Sequence, residues 1–354
     1  MCRNHTRNPI LCLIPPYLLD QIARNGNKAQ REAALRTRAK DNTFRSLRLS
    51  AQPDRRVVHL AAAAPTGKRR SIYTADGGET LPGTLVRGEG QPASGDIAVD
   101  EAYDGLGATF DFFFDVFDRN SIDDAGMALD ATVHFGKGYN NAFWNSAQMV
   151  FGDGDQSLFN RFTIALDVIG HELAHGVTED EAGLVYFNQA GALNESMSDV
   201  FGSLIKQYAL KQTAKQANWL IGEGLFTDKI TGSALRSMKA PGTAFDDKVL
   251  GKDPQPGHMD DFVHTYDDNG GVHINSGIPN HAFYQVATRI GGHAWEKAGR
   301  IWYDALRDSR LRPNAGFVRF ARITHDVAGR LYGVGEAAQI AVQEGWAAVG
   351  INAQ

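Results

Sequence analysis

The chain has 354 residues, of which 43% are hydrophobic and 22% are charged. This is the composition of an ordinary globular protein with two or three domains, and it excludes a fibrous, collagen-like or wholly disordered chain. Both cysteines, Cys2 and Cys12, lie near the N-terminus, so from residue 13 onward any metal must be bound by His, Asp or Glu.

Charge is distributed unevenly along the chain. Residues 1–70 carry 15 Lys and Arg against 4 Asp and Glu, a net charge of +11, and the remainder carries −16. A basic arm usually indicates contact with nucleic acid or a membrane. This arm lacks interleaved aromatic residues and precedes an acidic body on which it can dock. We therefore expect intramolecular docking and no nucleic-acid partner.

The apolar run Ile10–Leu19 is too short for a membrane helix and contains Pro15 and Pro16. No small-residue cleavage site follows it closely, as a signal peptide requires. We expect no membrane contact and secretion by a non-classical route, with a cytoplasmic location as the alternative. The two prolines predict an extended shape for this run.

The N-terminal segment is predicted to be helical and then irregular. Apolar residues recur at helical spacing from Pro16 to about Lys40. Residues 51–71 contain an alanine run, two prolines and basic clusters, which predict an exposed processing linker. Residues 1–50 are therefore predicted to form a short, largely helical N-terminal segment that precedes the linker.

Two lobes are predicted after the linker. Residues 72–162 combine short apolar runs with Gly, Asp and aromatic residues, and Thr109–Phe117 and Ala131–Phe135 are predicted strands. Helical periodicity dominates residues 163–354. The sequence thus predicts an α+β fold with a strand-rich N-terminal lobe and a helical C-terminal lobe.

The most informative motif is His171-Glu172-Leu173-Ala174-His175. On a helix, positions i and i+4 share one face, so both imidazoles can bind one metal ion while Glu172 faces the open coordination position. The alternative is a pair of incidental helix histidines, because a five-residue pattern also occurs by chance.

A catalytic zinc site requires a third protein ligand. The metzincin arrangement, with a third His six residues after the second, is excluded because position 181 is Glu. Glu195 follows His175 by twenty residues, enough for a helix, a turn and a return, and Asp199 lies one helical turn further on the same face. A ligating His generally donates its other ring N–H to a carboxylate, so Asp199 fits as the partner of His171.

Four motifs together carry a resemblance to a known family. They are HELAH (171–175), GALNESMSDVFG (191–202), NNAFWNSAQMVFGDGD (140–155) and DNGGVHINSGIPNHAFY (268–284). Over about residues 72–350 the chain resembles the thermolysin family of neutral zinc metallopeptidases. Its N-terminal segment, with Pro15-Pro16-Tyr17-Leu18-Leu19, resembles the protealysin type, whose propeptide is brief. The Gly-x-Met-Glu-Asn sequence of related aminopeptidases is absent, which favours an endopeptidase.

The resemblance implies a two-lobed peptidase with the zinc helix between the lobes. Glu172 would be the general base toward a water, while His273 and Tyr186 would donate hydrogen bonds to the oxyanion. The implied residues are His171, His175 and Glu195 for a single Zn²⁺, Asn194 and Asp199 for contacts that support its ligands, and Glu172, His273, Tyr186 and Asp268 for catalysis, the last orienting His273.

The resemblance also implies an extended substrate cleft. A peptide would add as a strand along Asn141 and Ala142, and Arg236 would bind a substrate carbonyl on the leaving-group side. An apolar pocket would accept a bulky side chain just after the cut bond. Its implied residues are Phe159, Phe162, Val168 and Leu235, for which simple core packing is the alternative.

One departure from the family concerns calcium. The family's interior calcium cluster uses a ring of carboxylates. Asp167 and Glu223 remain here, but the matching positions hold Lys206, Asn218 and Leu220. Calcium requires six to eight oxygen ligands, and a lysine ammonium can replace one cation by direct ion pairing. We expect Ca²⁺ binding to be doubtful and the double site to be lost.

The predicted function is a monomeric zinc endopeptidase that cleaves extended polypeptides and is kept latent by residues 1–50. Two other classes stay open. An inactive binding module would retain the groove but lose Glu172 or His273, and a nucleic-acid binder would act through the basic arm. In the latent form, Cys12 is either a small buried apolar residue, its commoner role, or a thiolate bound to the zinc.

Overall fold

The structure, a computed structural model, describes residues 11–50 and 67–354. Most of the predicted linker, residues 51–71, therefore lies outside the described residues. The elements in chain order are β1 (Leu11–Cys12), α1 (Pro16–Asn25), α2 (Lys28–Ser50), β2 (Arg70–Thr74), β3 (Thr84–Gly88), α3 (Ile97–Phe117), β4 (Leu129–Val133), β5 (Ala142–Trp144), β6 (Met149–Phe151), α4 (Leu166–Glu181), α5 (Asn188–Ala209), β7 (Leu220–Ile221), β8 (Arg236–Ser237), β9 (Asp246–Asp247), β10 (Gly251–Lys252), a 3-10 turn (Met259–Asp261), α6 (Asp268–Asn275), α7 (Gly277–Ile290), α8 (Ala298–Leu306), α9 (Phe317–Tyr332) and α10 (Ala337–Ala347).

A mixed six-stranded sheet forms the N-terminal lobe, in the order β1-β5-β6-β4-β2-β3. The pairs β2–β4 and β4–β6 are parallel, and the other pairs are antiparallel. The edge strand β1 comes from the N-terminal segment and places Cys12 opposite Phe143 of β5. The sheet edge that the sequence assigns to substrate is therefore covered by the chain itself.

The prediction of a strand at Thr109–Phe117 is wrong, because these residues are the second half of α3. The aromatic-rich run suggested a strand, since aromatic residues have high β propensity. Among its buried members, Phe110, Phe113 and Phe117 follow the spacing of a helix face, Phe112 is buried beside them, and Phe114 is 40% exposed. Asp96 caps the N-terminus of α3, and its carboxylate accepts hydrogen bonds from backbone N–H groups of the first turn. The prediction at Ala131–Phe135 overlaps β4.

The N-terminal helix is two helices, and the second extends beyond Lys40 to Ser50. The break lies at Gly26 and Asn27. Asn27 and Gln30 exchange hydrogen bonds between side chain and backbone, at 2.9 and 3.0 Å, which forms a capping box that starts α2. The expected extended shape of Ile10–Leu19 is only partly right, because Pro16 is the first residue of α1, a position that tolerates proline.

The helices α4 and α5 cross at close range in the centre of the molecule. A Cβ atom added at Gly202 would lie 2.3 Å from the Asp167 carbonyl, and one added at Gly170 would lie 3.2 Å from the Gly202 Cα. Only glycine permits this approach, which brings the His171–His175 face of α4 onto the Glu195–Asp199 face of α5.

The helices α7 to α10 pack around buried Trp302 and Trp346, whose rings stack with centroids 6.0 Å apart. This helical lobe continues the core that begins under the sheet. Among the described helices, none is long and apolar enough to cross a membrane. The strand-rich and helical lobes thus meet at α4.

Candidate active site

Three side chains on α4 and α5 converge on one point. The Nε2 atoms of His171 and His175 are 3.0 Å apart. The Glu195 carboxylate lies 3.5 Å from each imidazole, with Oε2 toward His171 and Oε1 toward His175. All three residues are buried, and their ligand atoms lie within 4.8 Å of one another. These residues form a possible metal site.

The opposite nitrogens of both imidazoles are engaged. His171 Nδ1 lies 2.8 Å from Asp199 Oδ1, and His175 Nδ1 lies 2.7 Å from Asn194 Oδ1. An Nδ1–H that is donated to oxygen leaves a lone pair on Nε2, so the two Nε2 atoms would present lone pairs to one another. A cation between them removes this repulsion, and the donor set of two imidazoles and a carboxylate fits zinc.

Electrostatics in the buried cluster also suit a cation. Burial lowers the pKa of His175 to about 3, so this imidazole is neutral and able to bind a metal. Burial by itself would raise the pKa of Glu195, but His273 and then His175 outweigh it and lower the pKa overall. Glu195 is therefore an anion, as a metal ligand must be.

Glu172 lies next to His171 on α4 and is not one of the three residues of the possible metal site. Its Oε2 accepts a hydrogen bond from the Trp144 backbone N–H at 3.1 Å, while its buried Oε1 has no hydrogen-bond partner among the described residues. Burial, followed by the charge of Glu195, raises the pKa of Glu172 well above its usual range. A carboxyl with a raised pKa and a free oxygen is suited to accept and return a proton.

His273 and Tyr186 lie on the other side of the metal cluster. Tyr186 donates its hydroxyl hydrogen to Glu195 Oε1, and its oxygen is 3.1 Å from His273 Nε2. Asp268 Oδ1 lies 2.6 Å from His273 Nδ1. Burial lowers the pKa of His273, but Asp268 and then Glu195 outweigh it, and the pKa is raised overall. The cleft thus contains hydrogen-bond donors for a developing negative charge.

Arg236 is buried and makes a bidentate contact with Asp199, with its Nε and Nη2 at 2.8 and 2.7 Å. Asn280 Nδ2 donates to the same carboxylate at 2.8 Å. Sequence reasoning did not identify Asn280 or Ser198, whose hydroxyl lies 2.8 Å from His175 Nδ1. Both residues lie inside the motifs quoted above. A polar side chain on an otherwise apolar helix face was the sequence feature that could have identified them.

The four residues of the implied pocket are fully or almost fully buried. Phe159 and Phe162 are in ring contact, with centroids 5.8 Å apart, and Val168 lies in the first turn of α4. They share one continuous hydrophobic cluster with Leu235 and with Leu13 of the N-terminal segment. An apolar side chain of the segment is thus part of the same hydrophobic core as these four residues.

The N-terminal segment occupies the cleft as a strand. Leu13 N–H donates to the Ala142 carbonyl at 3.1 Å, and Ile14 N–H donates to Asn141 Oδ1 at 2.9 Å. The Cys12 carbonyl oxygen lies 3.1 Å from His273 Nε2. The Cys12 side chain belongs to a separate apolar cluster that contains Phe143. Cys12 is not part of the metal cluster found among the described residues.

The helix α2 holds Asn141 from a second direction. Buried Asp41 accepts hydrogen bonds from Asn141 Nδ2 at 2.9 Å and from Tyr139 at 2.5 Å. Thr37, one helical turn earlier, accepts from the Asn140 backbone N–H at 3.0 Å. Sequence reasoning missed both residues of α2. Their spacing of four on the face that also buries Ala33 and Ala34 was the only signal.

Lys206 lies where the family's calcium cluster would be. Its ammonium is 3.0 Å from Asp167 and 3.3 Å from Glu223. Burial lowers the pKa of Lys206, but Asp167 outweighs it and the pKa is raised overall, so the ammonium stays charged. Asn218 donates to Glu223 at 2.8 Å, and Leu220 lies in β7. The ion pair is consistent with replacement of a cation by Lys206, and the loss of the double calcium site stays a prediction.

Comparisons with known proteins identify the family of the chain. Two family models match, described as the thermolysin metallopeptidase catalytic domain over residues 28–179 and its alpha-helical domain over residues 182–351. An extracellular metalloprotease of Pectobacterium carotovorum is 56% identical over 97% of this chain and 97% of its own length. Protease PrtS of Photorhabdus is 51% identical over 96% and 92%, respectively.

A solved structure, the precursor of protealysin, a metalloproteinase from Serratia proteamaculans, is 55% identical and covers 96% of this chain and 99% of its own, with a TM-score of 0.87. The resemblance inferred from the motifs is thereby confirmed, as are the two-lobed fold and the protealysin-like character. The chain belongs to the thermolysin family of metallopeptidases.

Proposed function

We propose that the protein is a zinc-dependent endopeptidase that hydrolyses peptide bonds on the amino side of bulky hydrophobic residues. The observation that carries this proposal is the convergence of His171, His175 and Glu195 beside the partner-free oxygen of Glu172. His171, His175 and Glu195 would bind the zinc. When bound, zinc supplies Lewis acidity that polarises the scissile carbonyl and acidifies a water.

The other steps belong to side chains of the chain itself. Glu172 takes a proton from the attacking water and gives it to the leaving nitrogen, which suits its raised pKa. His273 and Tyr186 donate to the oxyanion, and Asp268 holds the His273 ring in place. Asp199 fixes His171 and Arg236 together, so Arg236 is held rigidly at the leaving-group side.

Substrate preference follows from the cleft. A peptide adds along Ala142 and is held through Asn141, as a strand, so unstructured polypeptide is the substrate class. The residue just after the cut enters the apolar surface formed by Phe159, Phe162, Val168 and Leu235. None of these four side chains is polar, so a charged substrate side chain would find no hydrogen-bond or ion-pair partner there. Bulky apolar residues are therefore preferred.

We further propose that the chain is made as a zymogen, with residues 1–50 as its propeptide and residues 51–71 as the processing linker. The segment covers the substrate edge and engages His273 and Asn141. The relative from Pectobacterium is named an extracellular metalloprotease, and we propose that this chain is likewise secreted. We propose that it acts as a monomer.

The test is hydrolysis of a quenched fluorescent peptide library by the processed protein, with cleavage sites read by mass spectrometry. Cleavage should cease with a zinc chelator and return on adding zinc. The cut should fall before Leu, Phe, Ile or Val. Chelator-resistant hydrolysis, or dominant cleavage before Asp, Lys or Gly, would contradict the proposal.

A further inference from the structure

We propose that the Cys12–Leu13 peptide bond of the precursor is itself a substrate, held in the active site in the direction and register of cleavage. This inference rests on the proposed peptidase function. It assigns a covalent cleavage site to the propeptide that is separate from the processing linker at residues 51–71.

The first observation is the position of one carbonyl. In amide hydrolysis the oxyanion donors must contact the carbonyl whose carbon is attacked. His273 Nε2 lies 3.1 Å from the Cys12 oxygen and 3.1 Å from the Tyr186 hydroxyl. Because the carbon of this carbonyl is bonded to the Leu13 nitrogen, the register defines a single scissile bond.

The second observation is that the residues on the leaving side are held as a substrate would be. The Leu13 and Ile14 N–H groups donate to the Ala142 carbonyl and to Asn141 Oδ1 at 3.1 and 2.9 Å. Leu13 is fully buried and belongs to the main hydrophobic core of the molecule, which also contains Phe159 and Leu235. Leucine is also among the residues that the proposed specificity accepts after the cut.

The third observation is the general base. Glu172 Oε1 is buried without a hydrogen-bond partner among the described residues, on the helix that faces β1. In the proposed step the oxygen of a water adds to the Cys12 carbonyl carbon, and the carbon–nitrogen bond to Leu13 breaks. Glu172 moves one water proton to the Leu13 nitrogen. The second water proton then passes from the new carboxyl group to the amine, so the products are a Cys12 carboxylate and a Leu13 ammonium, and atoms and charge balance.

Cleavage at this bond would not release the inhibitor. The contacts of Ile14 with Asn141, of Asp41 with Asn141, and of Thr37 with Asn140 all lie on the carboxyl side of the cut. Leu18, Leu19 and Ile22 stay buried in the core. Residues 13–50 would therefore remain in place as a bound product, and the trimmed precursor would stay latent.

The experiment uses the full chain. It is prepared metal-stripped, loaded with zinc, and followed by intact mass and N-terminal sequencing. We expect loss of residues 1–12 and a new N-terminus at Leu13, with residues 13–50 retained on the protein. Glu172→Gln should keep the original N-terminus. The processed enzyme should cut a synthetic peptide of residues 8–20 at the same bond. In this peptide, Leu13→Gly should reduce cleavage at least tenfold, whereas Cys12→Ala should leave the cleavage rate unchanged.

A second readout does not depend on catalysis. In a Glu172→Gln, Cys2→Ser full chain without metal, Phe143→Cys should form a disulfide with Cys12, because the two residues are directly opposite in the β1–β5 pair. Ala142→Cys and Trp144→Cys, one residue to either side, should not. Cross-linking at either of these positions instead would place another carbonyl at His273 and overturn the register.

The outcomes separate this inference from the proposed function. If the processed enzyme cleaves library peptides while the zinc-loaded precursor keeps its N-terminus, the inference is overturned and the function stands. If the processed enzyme cleaves no peptide at all, the proposed function fails and the inference fails with it.

Discussion

Replacing Asp41 by Ala should weaken the inhibitory segment without changing the catalytic body. Asp41 is 2% exposed and accepts hydrogen bonds from Tyr139 and Asn141, at 2.5 and 2.9 Å. In the D41A complex both donors stay covered by α2 but lose their acceptor. In the free catalytic body, where α2 is absent, Tyr139 and Asn141 can donate to water. The free-energy cost of burying the two donors without Asp41 therefore arises only when the segment binds.

The magnitude follows from these two contacts. A hydrogen bond to a charged group contributes about 1.5–3 kcal/mol. Taking the low end for both contacts of Asp41 gives about 3 kcal/mol, which corresponds to roughly a hundredfold weaker inhibition at about 1.4 kcal/mol per factor of ten. Asp41→Asn should lose less, because its amide oxygen can still accept one of the two bonds.

The assay adds separately produced residues 1–50 to the processed body and measures the inhibition constant with a fluorescent peptide. Asp20→Ala is the matched control, since Asp20 pairs with Arg38 within the segment and both are solvent-accessible; an exposed pair contributes about 1 kcal/mol or less. Circular dichroism should show equal helicity for all segments. Less than about a fivefold loss for D41A, at 1.4 kcal/mol per decade, would refute the reasoning.

Other predictions follow from single sites. Glu172→Gln should retain stoichiometric zinc by metal analysis but lose kcat by a factor of about 10² or more, because the base is absent; comparable activity would contradict the mechanism. Millimolar calcium should raise Tm by less than about 2 °C at constant zinc, because Lys206 already pairs with Asp167; a large rise would show a calcium site. The hydrogen bond to Asp153, opposed by burial, raises the pKa of His134 from 6.5 to about 9. Its stabilisation is fully present below pH 6.5 and is lost as pH rises through 9, by about 1 kcal/mol after solvent screening. His134→Gln should flatten this part of the denaturation profile; an unchanged slope would assign it elsewhere.

The metal cluster could be predicted from sequence because its geometry is local. His171 and His175 share a helix face by spacing alone, and Glu195 and Asp199 share another. What spacing does not provide is the approach of the two helices, which depends on glycine at Gly202 in α5. The motif predicts which residues could bind a metal, but only the fold shows that the Nε2 atoms of His171 and His175 face each other.

The wrong and missed predictions have a different cause. Because Thr109–Phe117 contains many aromatic residues, its apolar positions fit both the two-residue period of a strand and the 3.6-residue period of a helix. The burial of one face in the structure corresponds to the helix. Asp41 and Thr37 are polar residues on a basic helix, and their partners lie about a hundred residues away. No local pattern predicts such a contact, because it exists only once α2 packs against residues 139–141, just before β5.

The position of Asn141 suggests why latency and substrate binding use the same contacts. An exposed edge strand such as β5 invites pairing with any extended chain, which a peptidase needs and a newly made protein must avoid. The segment fills the edge with β1 and directs Asn141 Oδ1 to Ile14, while Asp41 holds the amide nitrogen of the same side chain. A separate peptide can pair with β5 only after β1 leaves, and it can use the amide nitrogen of Asn141 only after Asp41 of α2 leaves as well. Removal of the whole segment therefore uncovers the edge and frees both ends of the amide in one event, so displacement of β1 alone should give less activity than removal of the segment.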